Sequence, residues 1–266
     1  PVEGLHGGGR MVVKRKGQVN VERPTREGRS RYAFGVHTVE EHLGYAAGQI
    51  LEIWLAEPLN RARRDLATRA ASLGVAVRRV ALPEIDRACP GASHQGAIAV
   101  LREFRYAEIA ELTRARPRLL VAADGVEDPR NLGALIRAVA AAGAGGLIIP
   151  KDRASAVTPA TEKAAAGVTA FFQVARVTNL ARTLGELSKA YGYWVAALAQ
   201  DGAQNLYRSE LPEPLVLVVG GEAGIRPLVR QNCDTAVAIP MSAGVESLNL
   251  AVAAAVACFE LRRRLG

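Results

Sequence analysis

Six short and almost wholly apolar segments recur between residues 118 and 240. They are "RLLVAAD" (118–124), "GLIIP" (146–150), "AFFQVARV" (170–177), "YWVAALAQ" (193–200), "LVLVVG" (215–220) and "AVAIP" (236–240). Stretches with helical spacing separate most of them, at 131–142, 158–166, 179–191 and 226–232, and a last one covers 247–264. A strand that is apolar along both faces has to be covered on both, and helices between successive strands achieve this around a parallel sheet. The pattern therefore predicts an α/β fold with a parallel sheet over 118–266. Ligands of such sheets sit in the crevice beyond the carboxyl ends of the strands. Three polar loops leave those ends: "DGVEDPRN" (124–131), "GGEAGIRP" (220–227) and "IPMSAGVESLN" (239–249).

The upstream half has a different texture. Helices are expected over 34–48 and 59–74, the second from an Asn60 cap to a Gly74 stop. Strands are expected at 50–57, at 75–81 and within 94–104. Together they suggest a small α/β domain at 32–103, joined by a helical linker (104–117) that ends at Pro117. The helix at 59–74 carries Arg61, Arg63, Arg64 and Arg69, either a phosphate-facing surface or a merely solvated one. Residues 1–31 hold eight basic groups against three acids and few apolar residues, which reads as a flexible basic arm.

Composition narrows the function classes. The chain is 49% hydrophobic but only 5% aromatic, so alanine, valine and leucine must fill the core. A net charge of +8 and a pI near 9.8 point to a polyanionic partner, nucleic acid first. Three cysteines and four scattered histidines offer neither a disulfide framework nor a metal-ligand spacing. No apolar run reaches membrane length and no secretory signal is evident, so a reduced cytoplasmic setting is expected, with no membrane and no metal.

The three loops lack the usual phosphate cradles. There is no G-x-G-x-x-G turn after a strand and no Walker A loop, which argues against a Rossmann-type oxidoreductase. They hold Asn131, Glu222, Ser247 and Asn249 instead. Each has a bland explanation: Asn131 as the cap of its helix, Glu222 as a first-turn acid, Ser247 as the cap of the last helix with Asn249 in the turn behind it. Arg137 is harder to explain, because it lies off the Leu132, Leu135, Ile136, Val139 stripe and among Gly133, Ala134, Ala140 and Ala141. A solvated arginine is one reading, and a fork of donors kept for a ligand is the other.

The segments "DGVEDPRNLGALIRAVAAAG", "VVGGEAG" and "IPMSAGVESLNLAVAAAVACFE" resemble the three signature motifs of SpoU-type RNA 2′-O-ribose methyltransferases, within the SPOUT superfamily. "FGVHTVEEHL", "HQGAIAV", "PKDRASAVTPAT" and "RVTNLARTL" are similar to the bacterial branch that methylates a guanosine ribose of 23S rRNA. The resemblance covers about residues 32–264 and leaves the basic arm outside.

It implies a trefoil-knotted catalytic domain preceded by an L30e-like RNA-binding domain. It also implies a homodimer, and S-adenosyl-L-methionine held by Gly220, Ile239 and Leu248. The catalytic set implied is Asn131, Arg137, Glu222, Ser247 and Asn249. A guanidinium hardly ever deprotonates, so Arg137 is read as orienting and stabilising charge, with a phosphate or water taking the proton. One departure stands out: the family's second motif reads G-x-E-G-x-G, whereas "GGEAGIRP" is one residue shorter. A tRNA ribose as target, and a non-catalytic RNA-binding or ribosome assembly factor on the same fold, are the alternatives.

Overall fold

The computed structural model describes residues 31–245 and 247–265. The expected basic arm therefore lies outside the described residues, except Arg31. That residue opens the first strand, β1 (Arg31–Phe34).

The upstream half continues with α1 (Val36–Tyr45), β2 (Ile50–Glu57), α2 (Arg61–Ser72), β3 (Val77–Ala81), α3 (Leu82–Ala88) and β4 (Ala97–Leu101). Its four strands form one sheet in the order β1-β4-β2-β3. β4 runs antiparallel to both β1 and β2, and β3 parallel to β2. Val39 and Leu43 of α1 and Leu66 and Ala70 of α2 bury against Ile53 and Leu55 of β2 on one face. Asn60 caps α2 as expected, its side chain accepting the Arg63 N–H at 3.0 Å. The arginines of that helix divide: Arg63 turns inward to the Ala56 carbonyl and Arg69 pairs with Glu40, while Arg61 and Arg64 are exposed.

The downstream half comprises α4 (Ile109–Arg114), β5 (Leu119–Asp124), α5 (Pro129–Ala141), β6 (Leu147–Pro150), α6 (Pro159–Ala165) and β7 (Val174–Val177). It then runs through α7 (Leu180–Tyr191), β8 (Trp194–Leu198), β9 (Gln204–Asn205), β10 (Leu215–Gly220), α8 (Pro227–Arg230), β11 (Thr235–Ala238) and α9 (Leu250–Leu265). The expected parallel sheet is present, in the order β7-β6-β5-β10-β8-β11-β9, and every neighbouring pair is parallel. Alternation along β5 sorts the two covering layers. Leu119, Val121 and Ala123 face a core shared with α5 and α9, while Leu120 and Ala122 face Leu180, Leu184 and Leu187 of α7. Both cores are mostly aliphatic, with Phe172 in the first and Tyr193 in the second.

α5 and α6 touch backbone to backbone. A Cβ on Gly133 would come within 2.4 Å of the Thr161 carbonyl oxygen, so only glycine admits this contact.

The structure shifts several expectations. The stretch 34–48 is not one helix, because Phe34 completes β1 and a short 3-10 turn at Ala47–Gln49 follows α1. β7 starts at Val174 rather than 170, since Val168–Ala170 form another 3-10 turn. Helix α3, opened by Pro83 in its first turn, was not anticipated.

The two halves meet through a buried polar joint. Arg31 Nε lies 2.7 Å from Glu162 Oε1, and both side chains are almost excluded from water. The Thr169 hydroxyl donates to the same carboxylate, and His42 Nε2 approaches it at 3.5 Å. The linker adds one rung to the sheet edge, Ala107 N–H to the Val174 carbonyl at 2.8 Å.

Candidate active site

The loops after β5, β10 and β11 open on the same side of the sheet and enclose a cleft of about 830 Å³. This is within the usual range for enclosed small-molecule sites, ~300–1,000 Å³.

The first loop ends at α5, whose cap is Asp128. Its Oδ1 accepts the Arg130 N–H at 2.7 Å, and Pro129 fills the position where no N–H is needed. The same N–H and the Arg130 side chain hold the Asp128 carboxyl below the usual carboxylate range. Asn131, expected as a possible cap, is thereby released from that duty. Its half-buried side chain instead accepts a 3.3 Å bond from Asn249 Nδ2, across 118 residues of sequence.

Asn249 has a second bond. Its Oδ1 accepts the Ala251 N–H at 2.9 Å, so Asn249 caps α9. Ser247, the cap expected from the sequence, stands two residues before it, exposed and lining the cleft. One asparagine thus fixes the start of the last helix and joins it to the first loop.

The second loop closes as a tight turn, with the Gly224 N–H on the Gly221 carbonyl at 2.9 Å and Glu222 exposed at its tip. Two glycines are sterically required here. A Cβ on Gly220 would meet the Gly224 carbonyl carbon at 2.4 Å, and one on Gly221 the Gly125 carbonyl oxygen at 2.0 Å. Behind the turn, Asp124 is wholly buried and paired with Arg226 at 2.6 Å.

Of the eight residues singled out from the sequence, seven line this one cleft: Asn131, Gly220, Glu222, Ile239, Ser247, Leu248 and Asn249. Arg137 does not line it. It is exposed on α5, where it makes no hydrogen bond or ion pair with any described residue. Six residues separate it from Asn131, about 9 Å along the helix at ~1.5 Å per residue.

The lining also contains Glu127, Asp201 and Arg230, which sequence reasoning missed. Glu127 lies inside a loop already marked as polar. Asp201 follows β8, a fourth strand end that carried no recognisable motif. Among the described residues no group of three or more His, Cys, Asp or Glu side chains is placed to hold a metal ion, and no helix is long and apolar enough to cross a membrane.

Comparison with known proteins places this geometry. The model of the SpoU rRNA Methylase family matches residues 118–259, and one for RNA 2′-O ribose methyltransferase substrate binding matches 32–107. A 23S rRNA (guanosine-2′-O-)-methyltransferase RlmB of Haemophilus influenzae is 37% identical over 244 residues, covering 89% of this chain and 99% of that protein. The RlmB of Pseudomonas putida is 39% identical over 239 residues, covering 87% of this chain and 95% of its own. A solved AdoMet-bound rRNA methyltransferase from Sinorhizobium meliloti superposes with a TM-score of 0.76 at 25% identity, over 90% of this chain and 88% of that one. Parallel sheet, upstream domain and converging loops agree with these matches, and the chain belongs to the SpoU rRNA methylase family.

Proposed function

We propose that this protein transfers a methyl group from S-adenosyl-L-methionine to the ribose 2′-oxygen of a guanosine in 23S rRNA. The observation that carries the reading is the Asn249–Asn131 bond at the cleft. It joins the first and third motif loops at the place where the second motif's turn also arrives.

The cleft fits the cofactor. Leu198, Ile239, Leu248 and Leu250 offer apolar walls suited to an adenine. Glu127, Asp201 and Glu222 supply carboxylates toward a ligand that carries a sulfonium and an ammonium, and Arg230 is available for its carboxylate. The absence of a phosphate cradle agrees, since this cofactor has no phosphate. Gly220, Ile239 and Leu248 are the residues assigned to hold it. When bound, it supplies an electrophilic methyl group on sulfur.

The chain's own residues then have to orient a weak nucleophile. Holding reacting atoms in line contributes up to several kcal/mol. Asn131 and Asn249 position the ribose, Glu222 and Ser247 shape the substrate side, and Arg137 faces the RNA from the flank of the cleft. Exposed and without a partner among the described residues, the Arg137 guanidinium keeps its donors for a phosphate or for charge developing on the 2′-oxygen. The proton passes to a phosphate or to water.

The upstream unit, 32–103, selects RNA by shape and backbone charge, with exposed Arg61 and Arg64 as phosphate contacts. The catalytic half follows the trefoil-knotted path of its family; the return of β10 to the middle of the sheet, between β5 and β8, supports this. A second copy covers α9, where Val252 and Phe259, seven residues apart on one side of the helix, are each 48% exposed. Three cysteines without a disulfide suit a cytoplasmic protein.

The test is methylation of unmodified 23S rRNA with labelled cofactor, followed by nucleotide mapping. A 2′-O-methylguanosine is expected. A mark on tRNA alone, or cofactor binding without transfer to any RNA, would overturn the proposal.

A further inference from the structure

The second motif is one residue shorter than its family pattern, yet its turn still reaches the cleft. The structure assigns the placement of this turn to an ion pair between the opening residue of the first motif and the residue two beyond the second: Asp124 and Arg226 act as a clamp that sets the height of the turn Gly221–Gly224. Arg226 is thus a positioning residue for the cofactor cleft. This inference rests on the methyltransferase reading for its function, though not for its geometry.

The pairing is unusually complete. Asp124 is the last residue of β5 and 0% exposed. Its Oδ1 accepts from Arg226 Nε at 2.8 Å and lies 2.6 Å from Nη2, and its Oδ2 accepts the Arg226 backbone N–H at 2.9 Å. The Asp124 carbonyl accepts the Gly221 N–H at 2.7 Å. Both ends of the turn are therefore tied to one residue of the neighbouring strand, Gly221 at its start and Arg226 just past its end. Gly221 lies against Gly125 so closely that the turn has no room to sink further. Steric contact limits it from below and the clamp from above.

A shorter loop has fewer conformations to lose, but it also has no slack to reach its place unaided. A guanidinium that brings Nε and Nη2 together onto one oxygen of a desolvated carboxylate, whose other oxygen takes the same residue's backbone N–H, supplies directional anchoring that a lysine cannot reproduce. Through it, the backbone of Gly220 and Gly221 and the side chain of Glu222 are held where they line the cleft. Arg226 is not part of that lining itself and touches no reacting atom.

Two variants of the full-length protein test the clamp. Removing one partner would leave a lone charge, so the first variant neutralises both: Asp124→Asn with Arg226→Met. Replacing a buried ion pair by uncharged groups is often neutral for stability. The second, Arg226→Lys, keeps the charge and loses the fork. Three readouts are taken: melting temperature, amide hydrogen exchange at Gly221 and Gly224, and the S-adenosylmethionine Kd by calorimetry, with kcat and KM for rRNA alongside.

For the double variant we expect a melting temperature close to wild type, faster exchange at both glycines, a cofactor Kd raised at least about tenfold, and a lower kcat with little change in KM for RNA. Arg226→Lys is expected to lie between. A double variant with wild-type Kd overturns the positioning role, whether or not the two amides lose protection. If the double variant does not fold, Arg226→Lys decides in the same terms. Failure of the methyltransferase reading looks different, since wild-type protein would then show protected glycine amides but bind no cofactor.

Discussion

Asn249 performs two tasks that substitution can separate. Its Oδ1 caps α9 through the Ala251 N–H, and its Nδ2 reaches Asn131. Replacement by alanine removes both. Loss of an N-cap acceptor costs about 1 kcal/mol, which lowers the melting temperature of a domain of this size by roughly 2–4 °C. Replacement by serine removes only one. Serine caps helices about as well as asparagine, so stability should stay within a few tenths of a kcal/mol of wild type. Its shorter side chain carries no amide and cannot span the gap to Asn131. If the Asn131–Asn249 bond positions the ribose, Asn249→Ser melts like wild type but loses about 10–100-fold in turnover, the range expected from misplacing a reacting group. The assay pairs thermal melts with single-turnover methylation of unmodified rRNA. Wild-type turnover in the serine variant would show that Asn249 is a helix cap and nothing more, and the reading built on this contact would fall with it.

Other substitutions probe the remaining parts. Arg137→Ala should melt within about 0.5 kcal/mol of wild type, because its side chain is exposed and unpaired among the described residues, and should bind cofactor while losing most methyl transfer. Calorimetry and labelled transfer measure this, and retained turnover would exclude Arg137 from the mechanism. Gly133→Ala forces a Cβ to within 2.6 Å of Ala164 Cβ; overpacking of ~1–3 kcal/mol outweighs the ~1 kcal/mol gained in helix propensity. Its melting temperature should fall, and turnover with it, because α5 carries Asn131 and Arg137. Hydrogen bonds from Arg263 and Arg264 lower the Glu260 carboxyl from 4.5 to about 2. A depressed folded-state pKa stabilises above the unfolded value and ceases to do so as pH falls through the folded one. The melting gap between wild type and Glu260→Gln should therefore be full at pH 7 and close between pH 4.5 and 2. Burial pushes the Cys258 thiol up to about 12 and Cys233 to about 11. Alkylation of native protein at pH 8 should be slow at both and become rapid on denaturation, and fast native labelling at either would contradict the burial of Cys258 and the partial burial of Cys233.

The parallel sheet was legible because its strands are greasy on both faces, a pattern with few other solutions. The loops were legible as places, since polar residues after such strands have little structural reason to be there. Individual duties were not. Asn131 looked like a cap because asparagine favours that position, but Asp128 stands three residues earlier with Pro129 behind it and takes the role. Ser247 lost the capping role to Asn249, which also meets Asn131 in a contact invisible in one dimension. Arg31 read as part of a basic arm, because the carboxylate that buries it lies 131 residues away, at Glu162. Arg226 carried no signal at all, since its partner is at the end of a different strand. Pairings between distant residues are set by topology, and spacing along the chain does not encode them.

The contact between positions 131 and 249 has a consequence for how the protein comes into being. A chain emerging from the ribosome has all four upstream strands in hand once Leu101 is made, well before the last helix. The pocket waits until α9 has been made and has docked on α5. Pairings this far apart close late, because the loop entropy must be met before any contact rewards it. Truncated or stalled chains would therefore carry the upstream sheet but lack the cleft.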